Sequence, residues 1–171
     1  MGYPHEPGAT PAMVEQRRQL VLLLRGTQAH MSFDDAVADF PAWAINARAP
    51  NVGYTPWHVV EHLRITQWDM LRYIEDSTGH VSPDWPVGYW PAPEAETDEA
   101  GFRASVDAFR ADLAALEAIA ADEQRDLFAV LEGTPGHTPF RCLGVIGNHN
   151  SYHVGEFASL RQVMGSWPPG H

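Results

Sequence analysis

The chain contains no lysine, and all eleven of its basic residues are arginines. This excludes Schiff-base chemistry, a phosphate-loop lysine and a lysine general base. Positive charge of any kind is scarce: 22 acidic residues against 11 basic ones leave a net charge of −11. Nucleic-acid affinity depends on clustered positive charge, so a DNA or RNA partner is not expected. Cys142 is the only cysteine, so no intramolecular disulfide can form and a reducing, cytoplasmic setting is expected. No apolar run approaches the ~20 residues that span a bilayer, and no membrane association is expected. The first twelve residues lack the basic and apolar pattern of a signal peptide, and residues 1–10 read as a loose N-terminal arm. The familiar catalytic signatures are missing as well. There is no Gly-x-Ser-x-Gly elbow, Gly-x-Gly-x-x-Gly loop, Cys-x-x-Cys, His-Glu-x-x-His or Glu-x-x-His.

Residues 1–171, 44% of them hydrophobic, suffice for one well-buried domain. Few alternating β-branched runs occur, whereas helix starts are easy to read. Thr10-Pro11, Thr55-Pro56 and Thr138-Pro139 each precede an apolar-periodic segment. Threonine accepts a hydrogen bond from a first-turn N–H, and proline at the first helical position loses no bond, because that N–H would be unpaired anyway. Thr97, followed by Asp98 and Glu99, marks a fourth start, with negative charge at the positive end of the helix. The reading is an all-α fold, an antiparallel four-helix bundle with long connections. Its helices are expected at about 11–30, 56–75, 98–121 and 139–165, each boundary good to ~2–4 residues. A short helical piece is expected between Ser32 and Phe40. Phe102, Val106, Phe109, Leu113, Leu116 and Ala120 step by four and three along the third long helix, as a bundle seam requires.

The fourth long helix carries a less ordinary stripe: Cys142, Ile146, His149, His153, Glu156, Leu160 and Val163. It places two imidazoles and a carboxylate toward the interior, where unpaired polar groups cost ~1–3 kcal/mol each. His149 and His153, four residues apart on a helix, lie about 6 Å apart along its axis and can grip one ion. His62 borders the apolar arc of Val59, Val60, Leu63, Met70, Leu71 and Ile74, and is the best third ligand. His58 falls further toward solvent and reads as an ordinary first-turn surface residue. Three imidazoles point to one Zn²⁺ or Ni²⁺ ion, a choice nitrogen ligands alone do not decide. Cys142 reads as a small buried apolar residue.

Such an ion can polarise a carbonyl, activate water, or lower the pKa of a thiol. With one buried cysteine in the chain, thiol chemistry would need an external low-molecular-weight thiol. Glu156 and Asp69 are the candidate proton acceptors. The segment from His80 to Pro93 is too long and too aromatic for an idle connection. Its Trp85, Tyr89 and Trp90 are expected to wall a substrate or cofactor pocket, or else to cap the bundle end.

A helix with a Thr-Pro-Trp opening that carries His62, together with His149-x-x-x-His153 followed by Gly155 and aliphatics, resembles the DinB (damage-inducible) superfamily across the whole chain. The resemblance implies a four-helix bundle, usually dimeric, with a divalent metal at His62, His149 and His153. Some members are thiol-dependent S-transferases or isomerases that use thiols such as bacillithiol or mycothiol. This chain departs from many relatives in having Glu156 where they carry glutamine. Two functions therefore stand open: a metal-dependent transferase or hydrolase acting on a small molecule, or a non-catalytic metal-binding stress-response or interaction protein. A homodimer is expected in either case, with some of Trp43, Trp68 and Trp167 in its interface.

Overall fold

A computed structural model describes residues 10–169; the expected N-terminal arm lies almost wholly outside them. Among the described residues the chain is all-helical, with no strand. The α-helices are α1 (Pro11–Arg25), α2 (Phe33–Val37), α3 (Pro56–Glu75), α4 (Glu99–Ala121) and α5 (Pro139–Met164). Single 3-10 turns occur at Ala42–Ala44 and Val87–Tyr89.

The three Thr-Pro pairs start helices as their chemistry requires. Thr10, Thr55 and Thr138 accept hydrogen bonds from the backbone N–H of Met13, His58 and Arg141 at 3.2–3.3 Å. Helix α4 departs from expectation by one residue, because Asp98 is its cap and accepts from the Gly101 N–H at 2.8 Å. Thr97 is engaged elsewhere, since its N–H and C=O both pair with the Asn46 side chain. Helix α1 stops at Arg25, well short of residue 30. Gly26 adopts a left-handed φ of 68°, and its N–H closes onto the Leu22 and Leu23 carbonyls. A side chain there would be strained by that φ and would also meet the His30 ring. The short α2 falls inside the expected piece and is fixed by a capping box between Ser32 and Asp35.

Helices α1 and α3 each pack against both α4 and α5. The core has two clusters. One is aliphatic, built from Leu20, Leu24, Leu71, Ile74, Leu116, Leu143 and Ile146, with Cys142 among them. The other is aromatic and β-branched, and includes Phe33, Val59, Val60, Phe102, Phe109, Val154 and Phe157. Each such side chain contributes roughly 1.5–3 kcal/mol by leaving water.

Two arginines are buried without a carboxylate partner in their hydrogen bonding. Arg17 donates to the Ala120 carbonyl in the last turn of α4 and to the Arg125 carbonyl in the connection that follows. Arg161, 0% exposed, donates to the Ala36 and Ala38 carbonyls that end α2 and to Ser166 O after α5. Helix C-termini present unpaired carbonyls and partial negative charge, so they suit a guanidinium. The Arg161 guanidinium also lies 3.8 Å from the Trp167 ring centroid. Burial pushes the Arg161 pKa down.

Arg161 replaces a residue that the sequence stripe had favoured. Val163, expected on the seam, is 64% exposed, while Phe157, Leu160 and Arg161 face the core. A strict four-three step drifts ~20° per heptad against a straight helix, so a stripe begun at Cys142 has left the interior by residue 163.

Candidate metal centre

Helix α3 supplies His62, and α5 supplies His149 and His153 one turn apart. Their ring nitrogens form a three-histidine group with all ligand atoms within 4.8 Å of one another. His62 Nε2 lies 3.1 Å from His149 Nε2 and 3.2 Å from His153 Nε2. Metal–nitrogen bonds of ~2.0–2.1 Å at a tetrahedral angle would put ligand nitrogens about 3.4 Å apart. The three imidazoles can therefore hold a divalent ion with little adjustment.

The partners of the other ring nitrogens strengthen that fit. His62 Nδ1 is 2.7 Å from the Tyr89 carbonyl, which can only accept, so the proton is on Nδ1 and Nε2 presents a lone pair. His153 Nδ1 donates to Glu156 Oε2 at 2.6 Å, so in the neutral ring its Nε2 presents a lone pair too. Two lone pairs facing each other at 3.2 Å repel unless a cation or a proton lies between them. Among the described residues, His149 Nδ1 is buried without a hydrogen-bond partner, as is Asn150 Oδ1 on the neighbouring residue.

Protonation of His62 and His149 supplies little of the missing positive charge near neutral pH. Burial lowers the pKa of His62 to about 4, with the nearby His153 adding to the effect and the Tyr89 carbonyl opposing it. Burial likewise lowers His149 to about 4, aided by His153 and His62. At neutral pH both rings are therefore neutral, the form that binds metal.

The surroundings of the triad come partly from α5 itself and partly from the connections. Glu156 is half-buried, and its second oxygen accepts from the Tyr54 hydroxyl. Burial alone would raise the Glu156 pKa, but hydrogen bonds from His153 and Tyr54 outweigh it and hold the carboxyl below its ordinary value. The Tyr54 hydroxyl is pushed up to about 12 by burial and by that carboxylate. Trp90 lies flat on His62, with centroids 3.8 Å apart and planes 5° from parallel. Exposed Tyr152 sets its ring edgewise to His153 at 4.8 Å.

The other expected site residues separate. Tyr89 supplies the carbonyl to His62, while its hydroxyl donates to Asp69 Oδ2 at 2.7 Å. The other oxygen of Asp69 accepts from His80 Nε2 at 2.7 Å. Both carboxylates proposed as proton acceptors, Glu156 and Asp69, thus have each oxygen engaged. Trp85 is 78% exposed and meets the Tyr89 ring edge-on, without contact to a histidine of the triad. Trp90 touches the centre directly.

His58 needs correction. It is not a surface residue but is 2% exposed, and both ring nitrogens are used. Nδ1 accepts from the Thr55 N–H at 3.3 Å, and Nε2 donates to the Ala95 carbonyl at 2.9 Å. It completes the capping box of α3 and holds the segment leading to α4, with no lone pair left for a metal. Tyr54, which the sequence reading passed over, sits in a connection where no periodicity marks it.

Cys142 is buried among aliphatic side chains, and burial pushes its thiol pKa up. Among the described residues, no helix is long and apolar enough to cross a membrane. Comparison with curated proteins and with solved structures returns no match. A model of the DinB superfamily matches residues 25–157, from the end of α1 into α5, including all three histidines, and the chain belongs to that superfamily.

Proposed function

We propose that the protein is a metal-dependent enzyme that transfers or hydrolyses a small-molecule substrate at a divalent ion held by His62, His149 and His153. The carrying observation is the convergence of the three ring nitrogens, with His62 Nε2 3.1 Å from His149 Nε2 and 3.2 Å from His153 Nε2. Zn²⁺ and Ni²⁺ both suit three nitrogen ligands. Bound there, the ion would act as a Lewis acid and would lower the pKa of a thiol or water that reached it.

The favoured chemistry is thiol-dependent S-transfer. Cys142 is buried with a raised pKa, so the nucleophilic sulfur comes from an external low-molecular-weight thiol. Glu156 fixes the His153 tautomer through Nδ1. It is also the proposed acceptor, at the oxygen shared with Tyr54, of the proton that the thiol releases. Its lowered pKa makes it a weak base, so the proton passes on to solvent. Trp90 excludes water from one face of His62, and Tyr152 and Trp85 offer exposed rings for a substrate to rest on. A screen of thiol transfer with and without a chelator tests this reading. Turnover that survives complete metal removal would contradict it.

One observation favours the alternative of a non-catalytic metal-binding stress-response or interaction protein. A cavity of about 490 Å³ lies between α2 and α4, lined by Val37, Phe40, Phe102 and Arg110, and no histidine of the triad borders it. A metal that raised the melting temperature without supporting any transfer or hydrolysis would decide for that alternative.

The four long helices are read as an antiparallel bundle forming a single domain, the protein as cytoplasmic, and its assembly as a homodimer. Of the tryptophans first assigned to the interface, Trp43 is 61% exposed, whereas Trp68 packs edgewise on His80 and Trp167 on Arg161. Trp43 is therefore the stronger candidate. Light scattering at micromolar concentration should return twice the 19.0 kDa chain mass, and a particle of one chain mass would contradict the dimer.

A further inference from the structure

We propose that Asp69 is a positioning residue for the metal centre, fastening the segment between His80 and Tyr89 so that the Tyr89 carbonyl fixes the tautomer of His62. The inference rests on reading the three histidines as a metal site. Asp69 follows His62 on α3 by about two turns, which puts both on one side of the helix. Its two carboxylate oxygens hold the segment at both ends, with His80 Nε2 and the Tyr89 hydroxyl each donating at 2.7 Å. Trp68, next to Asp69 on α3, closes edgewise on the His80 ring.

The fastened segment delivers two consecutive residues to one ligand. The Tyr89 carbonyl accepts from His62 Nδ1 at 2.7 Å, and Trp90 stacks on the same ring. His62 is only 3% exposed, so without that carbonyl its Nδ1–H would have little access to water. The proton could then move to Nε2, where it would occupy the lone pair a metal needs. Asp69 thereby acts on the centre through a side chain and a backbone carbonyl, touching neither an ion nor a substrate. The segment itself is exposed at Val81, Trp85 and Val87, so these side chains contribute little burial to hold it down. The two bonds to Asp69 fasten it to α3 at His80 and Tyr89, beside the stack of Trp90 on His62.

The test uses the full chain with Zn²⁺ alone, titrated against a chromophoric chelator, and with Co²⁺ as a spectroscopic substitute. Tyr89→Phe keeps the ring and removes only the hydroxyl. It should weaken Zn²⁺ binding by up to roughly 10–100-fold, the size of a lost outer hydrogen bond at a metal ligand, as the released Tyr89 carbonyl leaves His62. The Co²⁺ absorption bands should shift as well. Asp69→Asn should weaken binding by at least as much, because the carboxylate also accepts from His80. Adding Tyr89→Phe to it should cost little more, since the two changes damage the same bond. His80→Gln, which leaves the Tyr89 bond in place, should give a smaller loss in the same direction, and it serves if Asp69→Asn does not fold.

Wild-type Zn²⁺ affinity and an unchanged Co²⁺ spectrum in Tyr89→Phe, even with a lowered melting temperature, would overturn the positioning role and leave the metal site standing. A wild-type chain that takes up no Zn²⁺ would overturn both.

Discussion

The two core clusters make different demands on the chain. Around Leu71, Leu116 and Leu143 the packing is aliphatic, and helical periodicity is enough to satisfy it. Val154, in the aromatic cluster, directly follows His153 of the triad, and on that side every imidazole poses a hydrogen-bonding question. Glu156 on α5 answers for His153, and the rest comes from connections: Tyr89 and Trp90 between α3 and α4 at His62, and Tyr54 before α3 at Glu156. An apolar seam can be specified by a repeat, whereas a polar site must recruit partners from wherever the chain passes.

The comparison breaks most visibly at Leu143. Leu143→Ala leaves a cavity in the aliphatic cluster and should destabilise the protein by about 2–5 kcal/mol in chemical denaturation. Metal stoichiometry should not change. A loss of metal in a variant that remains folded would show that the two regions are not separable.

His58→Ala should behave as an intermediate case. It removes the acceptor for the Thr55 N–H and the donor to Ala95, at a cost of roughly 1–3 kcal/mol, while metal content stays at the wild-type level. Equilibrium unfolding and metal analysis on the same sample check both parts.

A pH titration sharpens the contrast without mutation. His62 and His149 fall from an ordinary 6.5 to about 4 in the fold. Between those values the unfolded chain binds protons that the native chain refuses. Metal-free stability should therefore fall as pH drops from about 6.5 toward 4 and lose this dependence below that. His62→Ala should reduce the slope measured by denaturant midpoints across this range, whereas Leu143→Ala should lower the midpoint with the slope intact. Equal slopes in all three proteins would contradict the depressed histidines.

The smallest effect is expected at Val163. Exposed despite its place on the sequence stripe, it should tolerate Val163→Ser within about 0.5 kcal/mol. A larger loss in thermal unfolding would mean that this face is covered in solution, as a dimer could do.

Val163 also marks where sequence reading stops. The Thr-Pro starts and the α4 stripe were legible because capping and periodicity are local. The triad was legible for the same reason: a four-residue spacing puts His149 and His153 on one face, and His62 borders an apolar arc. What escaped was set by partners distant in sequence. His58 looked exposed because its acceptor, Ala95, lies 37 residues away. Arg161 carried no sequence signal, because the carbonyls that receive it, on Ala36 and Ala38, lie more than 120 residues away. The partners of Asp69 escaped as well, because His80 and Tyr89 lie 11 and 20 residues further along the chain.

Three imidazoles whose ring nitrogens converge are expected to hold one divalent ion. Element analysis by mass spectrometry, on wild type and on His153→Ala after exposure to Zn²⁺ and gel filtration, tests it most directly. The wild-type chain should carry one ion, and the variant should carry none at stoichiometric level. A variant that kept a full equivalent, or a wild type that bound nothing, would contradict it.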